Sequence, residues 1–254
     1  MNLNLDGKLT LITGADRRTG EIIAATLARE GCLTVIHSQD TLPITERAVV
    51  GDLRTEAGRQ DVIRQLHDNS WLPDILINNY GTTDNHTWDS TDDDKWIEMF
   101  QTNALSALRL AQALAPTMQS RGWGRIVHLG TIGSHQPAAE RPAYYAAKGA
   151  LSNATVSHAQ ALKSTGVTVN TIAPGLIRTE DTETIFAKVA RKRGWVGGWD
   201  EIEARVCAEL FPNLTRRMVT RQEVADLVAF VSSPLAASIT GQTLRIDGGA
   251  VLYV

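Results

Sequence analysis

At 254 residues, 43% of them hydrophobic and 21% charged, the chain can bury one substantial core, and one domain spanning residues 1–254 is expected. A formal net charge of −3, with no long Lys/Arg run, omits the basic footprint of a nucleic-acid binder. No apolar stretch approaches the ~20 residues needed to cross a bilayer, and the polar N-terminus leads straight into a strand-like run, so a soluble cytoplasmic protein without a membrane partner is expected.

Strand-length apolar runs recur along the chain at Leu9–Ile12, Leu33–Ile36, Ile75–Ile77, Arg125–Leu129, Val167–Ile172 and Thr243–Ile246, with helical patterns between them. Continuously apolar strands separated by helices indicate an α/β fold: a doubly wound parallel sheet of about seven strands with helices on both faces. Such sheets bind ligands at the C-terminal ends of their strands. After Leu33–Ile36 the stretch Ser38 to Gly51, interrupted by Pro43, is too short for the usual crossover helix and is expected to be a loop. Thr220 with Glu223, and Asp200 with Glu203, have the spacing of a capping box, so a helix is expected after each. Residues 176–220 form a connection far longer than an ordinary βα loop and hold Phe186, Trp195, Trp199 and Phe211 among glycines, which suggests a substrate lid. Cys32 and Cys207 form no Cys-x-x-Cys pair, and the histidines (His37, His67, His86, His128, His135, His158) lack metal-ligand spacing, so reduced thiols and no metal site are expected.

Two segments carry chemistry. The first strand ends in Thr13-Gly14-Ala15-Asp16-Arg17-Arg18-Thr19-Gly20 and runs into a helix-like stretch. A glycine turn there aims backbone N–H groups and a helix N-terminus at an anion, which suits a dinucleotide pyrophosphate. Farther on, Tyr144 and Lys148 stand four residues apart, on one face of a helix. A lysine cation close to a phenol favours the phenolate, drawing its pKa from about 10 toward neutrality and making Tyr144 a candidate acid/base. Helical geometry alone also lets Lys148 neighbour Tyr145.

With Asn78-Asn79-Tyr80-Gly81 after a later strand, the chain resembles the short-chain dehydrogenase/reductase family along nearly its whole length. That family's pattern is Thr-Gly-x-x-x-Gly-x-Gly, Asn-Asn-Ala-Gly, a Ser, and Tyr-x-x-x-Lys. The resemblance implies Tyr144 as general acid/base, Lys148 lowering its pKa and holding the nicotinamide ribose, Asn103 completing a proton relay, and a hydroxyl that hydrogen-bonds the substrate oxygen. The hydroxyl position falls on Thr131, with Ser134 as the fallback, and Tyr145 is left as packing or pocket wall. Thr131 keeps the hydroxyl but adds a β-methyl that restricts its rotamer. Arg18 replaces the middle glycine of the fingerprint, so the loop must adapt. Tyr80 replaces a small Ala, which narrows the groove or packs against its neighbours.

The resemblance also implies cofactor contacts at Gly14, Asp16, Thr19, Gly20, Asn79, Tyr80, Gly81, Asp52, Leu53, Pro174, Gly175, Ile177 and Thr179, with the Ile177 backbone and Thr179 hydroxyl meeting the carboxamide. About 20 residues past a glycine turn, NAD enzymes carry an acidic side chain on the ribose 2′-OH. Here that position is Ser38, uncharged, while Arg17 matches a family position that meets a 2′-phosphate and Arg18 adds a second guanidinium. NADP(H) is therefore expected over NAD(H), although Asp40 and Gln39 lie close by. His135, Gln136, Trp195 and Trp199 are candidates to shape the pocket for a small carbonyl or alcohol substrate, and a homotetramer is implied by resemblance. The expected activity is ketone reduction or its reverse. The alternatives are an NAD-dependent dihydrodiol or secondary-alcohol dehydrogenase and, from another class, a nucleotide-binding sensor or scaffold that has lost catalysis.

Overall fold

The computed structural model describes residues 2–41 and 43–252. Seven strands, β1 (Leu9–Ile12), β2 (Leu33–Ser38), β3 (Ala48–Val50), β4 (Ile75–Asn78), β5 (Gly124–Leu129), β6 (Val167–Pro174) and β7 (Thr243–Ile246), form one sheet in the order β3-β2-β1-β4-β5-β6-β7, every pair parallel. The helices are α1 (Arg18–Arg29), α2 (Glu56–Asp68), α3 (Asp93–Phe100), α4 (Ser106–Ser120), α5 (Pro142–Ala161), α6 (Glu180–Arg193), α7 (Trp199–Arg205) and α8 (Arg221–Ser232). No described helix is long and apolar enough to cross a membrane.

Side chains alternate across a strand, so each central strand feeds two cores. On one face Ile12, Ile77, Val127 and Ile172 pack with Ile23 and Leu27 of α1 and Val224 and Val228 of α8. On the other, Leu11, Leu76, Ile126 and Val169 pack with Val62 and Leu66 of α2 and Leu110, Leu114 and Met118 of α4. Each fully buried aliphatic side chain contributes about 1.5–3 kcal/mol of transfer free energy. This two-sided burial is why the strands read as uninterrupted apolar runs.

The described residues between β2 and β3 include no helix, as the segment's length and Pro43 require. Consecutive strands β1, β2 and β3 run to one edge and β4 to β7 to the other, so the order reverses between β1 and β4. A crevice opens at that reversal because the two connecting chains leave in opposite directions. The glycine turn after β1 and Asn79-Tyr80-Gly81 after β4 emerge beside it.

One of the two expected capping boxes forms. Thr220 accepts from the Glu223 amide, and Glu223 accepts from the Thr220 N–H at 2.8 Å. The second does not: α7 starts at Trp199 behind Gly198, which places Asp200 inside the first turn. Glu203 is buried and accepts from the Met218 N–H at 3.1 Å, a buried amide that would otherwise lack a partner.

Candidate active site

Thr13 frames the glycine turn. Its hydroxyl accepts from the amides of Asn79 (3.0 Å) and Tyr80 (2.9 Å), while the Asn79 side-chain amide donates to the carbonyls of Thr13 (3.0 Å) and Gly14 (2.8 Å). A Cβ on Gly20 would lie 2.5 Å from the Gly14 carbonyl oxygen and 2.6 Å from Asn79 Nδ2, so only glycine fits there. Arg18 adopts φ 58°, the left-handed conformation that the family's glycine takes without strain. For a side-chain-bearing residue this costs roughly 1–2 kcal/mol. The turn therefore adapts by holding an arginine in glycine's conformation, and its guanidinium pairs with Asp181 of α6 at 3.1 Å.

These residues line a cleft of about 550 Å³ that brings together Gly14, Asp16, Arg17, Arg18, Thr19, Gly20, Asn79, Tyr80 and Gly81. The sequence did not single out Arg54, Thr82, Glu98 and Thr102, which complete the wall with Gln39. Gln39 follows β2, Arg54 follows β3, and Thr82, Glu98 and Thr102 lie between β4 and β5, three connections that only the sheet order juxtaposes. Ser38 is buried at the end of β2 and faces away from the cleft, so Gln39 takes the position expected of it. Asp52 and Leu53 also stay off the wall: Leu53 is buried in the core, and Arg54 clasps the Asp52 carboxylate through Nε and Nη2, holding it below the ordinary carboxylate range. Tyr80 does both things left open by its size. Its hydroxyl donates to Gln39 Oε1 at 2.6 Å on the cleft wall, and its ring stands nearly perpendicular to that of His37, centroids 6.1 Å apart.

A second cavity of about 340 Å³ shares Arg18, Asn79 and Gly81 with the first and is lined by Asn103, Leu129, Gly130, Tyr144 and Lys148 as well. Asn103 sits in a π-helical turn, Gln101–Leu105, between α3 and α4. Such bulges re-aim one side chain without ending the helix. Its Oδ1 accepts from the Thr82 N–H at 3.1 Å and its Nδ2 donates to the Met99 carbonyl at 3.2 Å. Thr131 caps the short 3-10 turn Ile132–Ser134, its Oγ1 accepting from the Gly133 N–H at 3.2 Å, and it favours ionisation of the facing Tyr144 phenol. Ser134 is less available: its hydroxyl donates to the Thr131 carbonyl at 2.6 Å and accepts from Ser152. Tyr145 packs its ring on Gly133, where an added Cβ would approach to 2.0 Å, which separates it from Tyr144 in role.

The expected coupling of Tyr144 to Lys148 takes a different form. Burial pushes the phenol up to about 12, with Tyr145 adding to the rise, while burial pulls the Lys148 ammonium down to about 8. The ammonium donates to the Leu129 carbonyl at 2.6 Å. Desolvation outweighs the attraction that the helix spacing suggests, so Tyr144 holds its proton here.

The remaining expected contacts lie outside both cavities. Pro174 and Gly175 end β6, and Gly175 packs on Asp247, 2.9 Å from the position of an added Cβ. Ile177 bridges to Val219. Thr179 spends its hydroxyl on a capping box with Thr182 at the start of α6. Trp195 and Trp199 pack on Phe186, Val206, Cys207 and Met218, a small core within the 176–220 segment, and His135 and Gln136 are exposed beyond the 3-10 turn.

The sequence profile described as Enoyl-(Acyl carrier protein) reductase matches residues 14–251. The chain belongs to the short-chain dehydrogenase/reductase family. This short-chain dehydrogenase/reductase is 31% identical to the uncharacterized oxidoreductase YvaG of Bacillus subtilis over the full length of both chains. It is 31% identical to the 3-oxoacyl-[acyl-carrier-protein] reductase FabG of Vibrio cholerae, covering 97% of this chain and 98% of that one. Among solved structures, L-sorbose reductase from Gluconobacter frateurii, complexed with NADPH and L-sorbose, superposes with a TM-score of 0.90 at 29% identity over the whole of both chains.

Proposed function

We propose that this oxidoreductase uses NADP(H) to interconvert a ketone and a secondary alcohol, with Tyr144 as the proton donor and acceptor. The observation that carries the reading is the continuity of the two cavities through Arg18, Asn79, Gly81 and Thr82, which joins an anion-receptive glycine turn to half-buried Tyr144 and buried Lys148 and Asn103. A dinucleotide fits the residues present. Gly20 lets the first turn of α1 pack directly on Gly14 and Ala15, which keeps the helix N-terminus at the cleft, and Arg17, its side chain 73% exposed, can turn to a 2′-phosphate. Gln39 has no charge to repel that phosphate. The NADPH-bound L-sorbose reductase supports the same choice by similarity.

NADPH, when bound, supplies the hydride, and the chain's own groups handle the proton. The Thr131 oxygen accepts from the Gly133 N–H, so its O–H serves as a donor beside Tyr144, placed to hold a carbonyl oxygen that enters between them. Tyr144 keeps its Oη proton until the carbonyl oxygen develops negative charge, then gives it up. Lys148, fixed by the Leu129 carbonyl, stabilises the resulting phenolate, and Asn103, anchored at both ends of its amide, borders the path by which the proton is replaced. The 176–220 segment acts as a lid hinged beside the cleft, tethered by the Arg18–Asp181 pair. A compact hydroxylated ketone suits the polar wall of Thr82, Thr83, Asn103 and Tyr144. In binding titrations NADPH should bind more tightly than NADH, and Tyr144→Phe should keep that binding while losing at least about a hundredfold in ketone turnover. Tighter NADH binding would instead favour the NAD-dependent alcohol dehydrogenase, and full turnover by Tyr144→Phe would remove Tyr144 from the chemistry.

A further inference from the structure

His37 is the fifth of the six residues of β2, Leu33–Ser38, and is fully buried, yet its ring touches the glycine turn directly. Its Nε2 is 2.9 Å from the Gly51 carbonyl oxygen, an atom that only accepts, so Nε2 carries the hydrogen. Nδ1 is then bare and accepts from the Gly14 N–H at 3.1 Å. Two backbone partners thus select one neutral tautomer. The Gly14 carbonyl is held from the other side by Asn79 Nδ2, so both polar groups of Gly14 are fixed. Gly14 has φ 59° and lines the cleft, and an added Cβ would stand 3.1 Å from Tyr80 Cα. The His37 ring packs perpendicular to that of Tyr80, whose hydroxyl orients Gln39. One imidazole therefore braces three residues of the cleft wall: Gly14, Tyr80 and Gln39.

We propose that His37 is a positioning residue for dinucleotide binding, holding the glycine turn in its binding form while neutral and releasing it on protonation. The proposal rests on the dinucleotide reading above. A proton on Nδ1 sets two N–H donors head to head across the contact with Gly14, so the bond is lost and the turn must move. The charged and titratable groups facing the ring are Asp16 on the glycine turn, Asp52 after β3 and Tyr80 after β4. The two carboxylates favour the imidazolium, but burial outweighs them and holds the group below the ordinary histidine range, so the neutral form prevails at physiological pH.

If the dinucleotide binds only the neutral form, its affinity falls by up to about tenfold per pH unit below the pKa of His37. The test is calorimetric titration of the full-length protein with NADP⁺ from about pH 8 to 5, in wild type and His37→Asn. Asn places an acceptor oxygen where Nδ1 stands and cannot be protonated. The affinity ratio of wild type to variant should fall as pH drops, and taking the ratio cancels titration of the cofactor's own 2′-phosphate. A ratio constant with pH overturns the proposal while leaving the dinucleotide reading intact. No NADP⁺ binding by wild type at any pH overturns both. NMR titration of the wild-type imidazole reads the same linkage without a variant: saturating NADP⁺ should lower the pKa of His37, and an unchanged pKa overturns the proposal.

Discussion

Tyr144 and Lys148 share a helix face, but their protonation follows burial rather than spacing. The phenol is held up to about 12 and the ammonium down to about 8, so between neutrality and pH 8 the pair is phenol and cation, the state that suits proton delivery to a ketone. Lys148 has its pKa depressed, so its cation is present below about 8 and is lost as pH rises through that value. The kcat/KM for ketone reduction should accordingly decline above about pH 8, with Tyr144 still protonated. A pH–rate profile that stays level far into the alkaline range would show that the Lys148 charge is not needed. Arg18 makes a related point about single residues: the substitution of a fingerprint glycine is tolerated because the backbone accepts φ 58° and Asp181 receives the guanidinium.

Helix ends show how far local pattern carries. The Thr220/Glu223 box is set by four consecutive residues and forms as written, and Glu223 is further drawn down to about 2, first by the Arg217 guanidinium and then by the Thr220 groups it accepts from. Its folded pKa lies below its unfolded one, so its contribution is full above about 4.5 and disappears as pH falls toward 2. Glu223→Gln keeps the cap acceptor and removes the charge; with that side chain 35% exposed, solvent screening limits the loss to about 1 kcal/mol near neutral pH. Urea melts of variant and wild type should draw together as pH falls from about 4.5 and converge only below about pH 2, where the glutamate is protonated in both states. Asp200/Glu203 has the same spacing and forms no box, because Gly198 starts α7 early and the buried Met218 amide requires Glu203. Local spacing identified that helix but not its cap, which was decided by a residue 15 positions away in the chain.

At the scale of the molecule, one buried cation ties three elements at the N-terminal edge of the sheet. Arg125 donates from Nε to the Ser233 carbonyl (3.3 Å) after α8, and from Nη1 to Gly124 (2.9 Å) at the start of β5 and Gly166 (3.3 Å) before β6, while stacking on Trp123. Arg125→Leu leaves those carbonyls without their donor and should cost about 2–4 kcal/mol, read as a lower urea midpoint with an unchanged slope. An unchanged midpoint would mean that water replaces the guanidinium without penalty. Sheet order has the opposite consequence at the other end of the strands, where the reversal between β1 and β4 opens the crevice and assembles its wall from the four connections that follow β1, β2, β3 and β4.

By itself the sequence determined the alternation of strands and helices, the missing crossover helix after Ser38, the glycine turn, and the helix that carries Tyr144 and Lys148. These depend on periodicity, on proline and glycine stereochemistry, and on neighbours within one turn, all of which are properties of short segments. Only the tertiary structure decided that Ser38 faces inward and Gln39 outward, that Arg54 clasps Asp52, that Thr179 serves a cap, that Arg18 reaches Asp181, and that His37 braces Gly14. Each of those outcomes depends on which distant groups become neighbours once water is excluded, and there desolvation and partner availability outweigh the local preferences that a sequence displays.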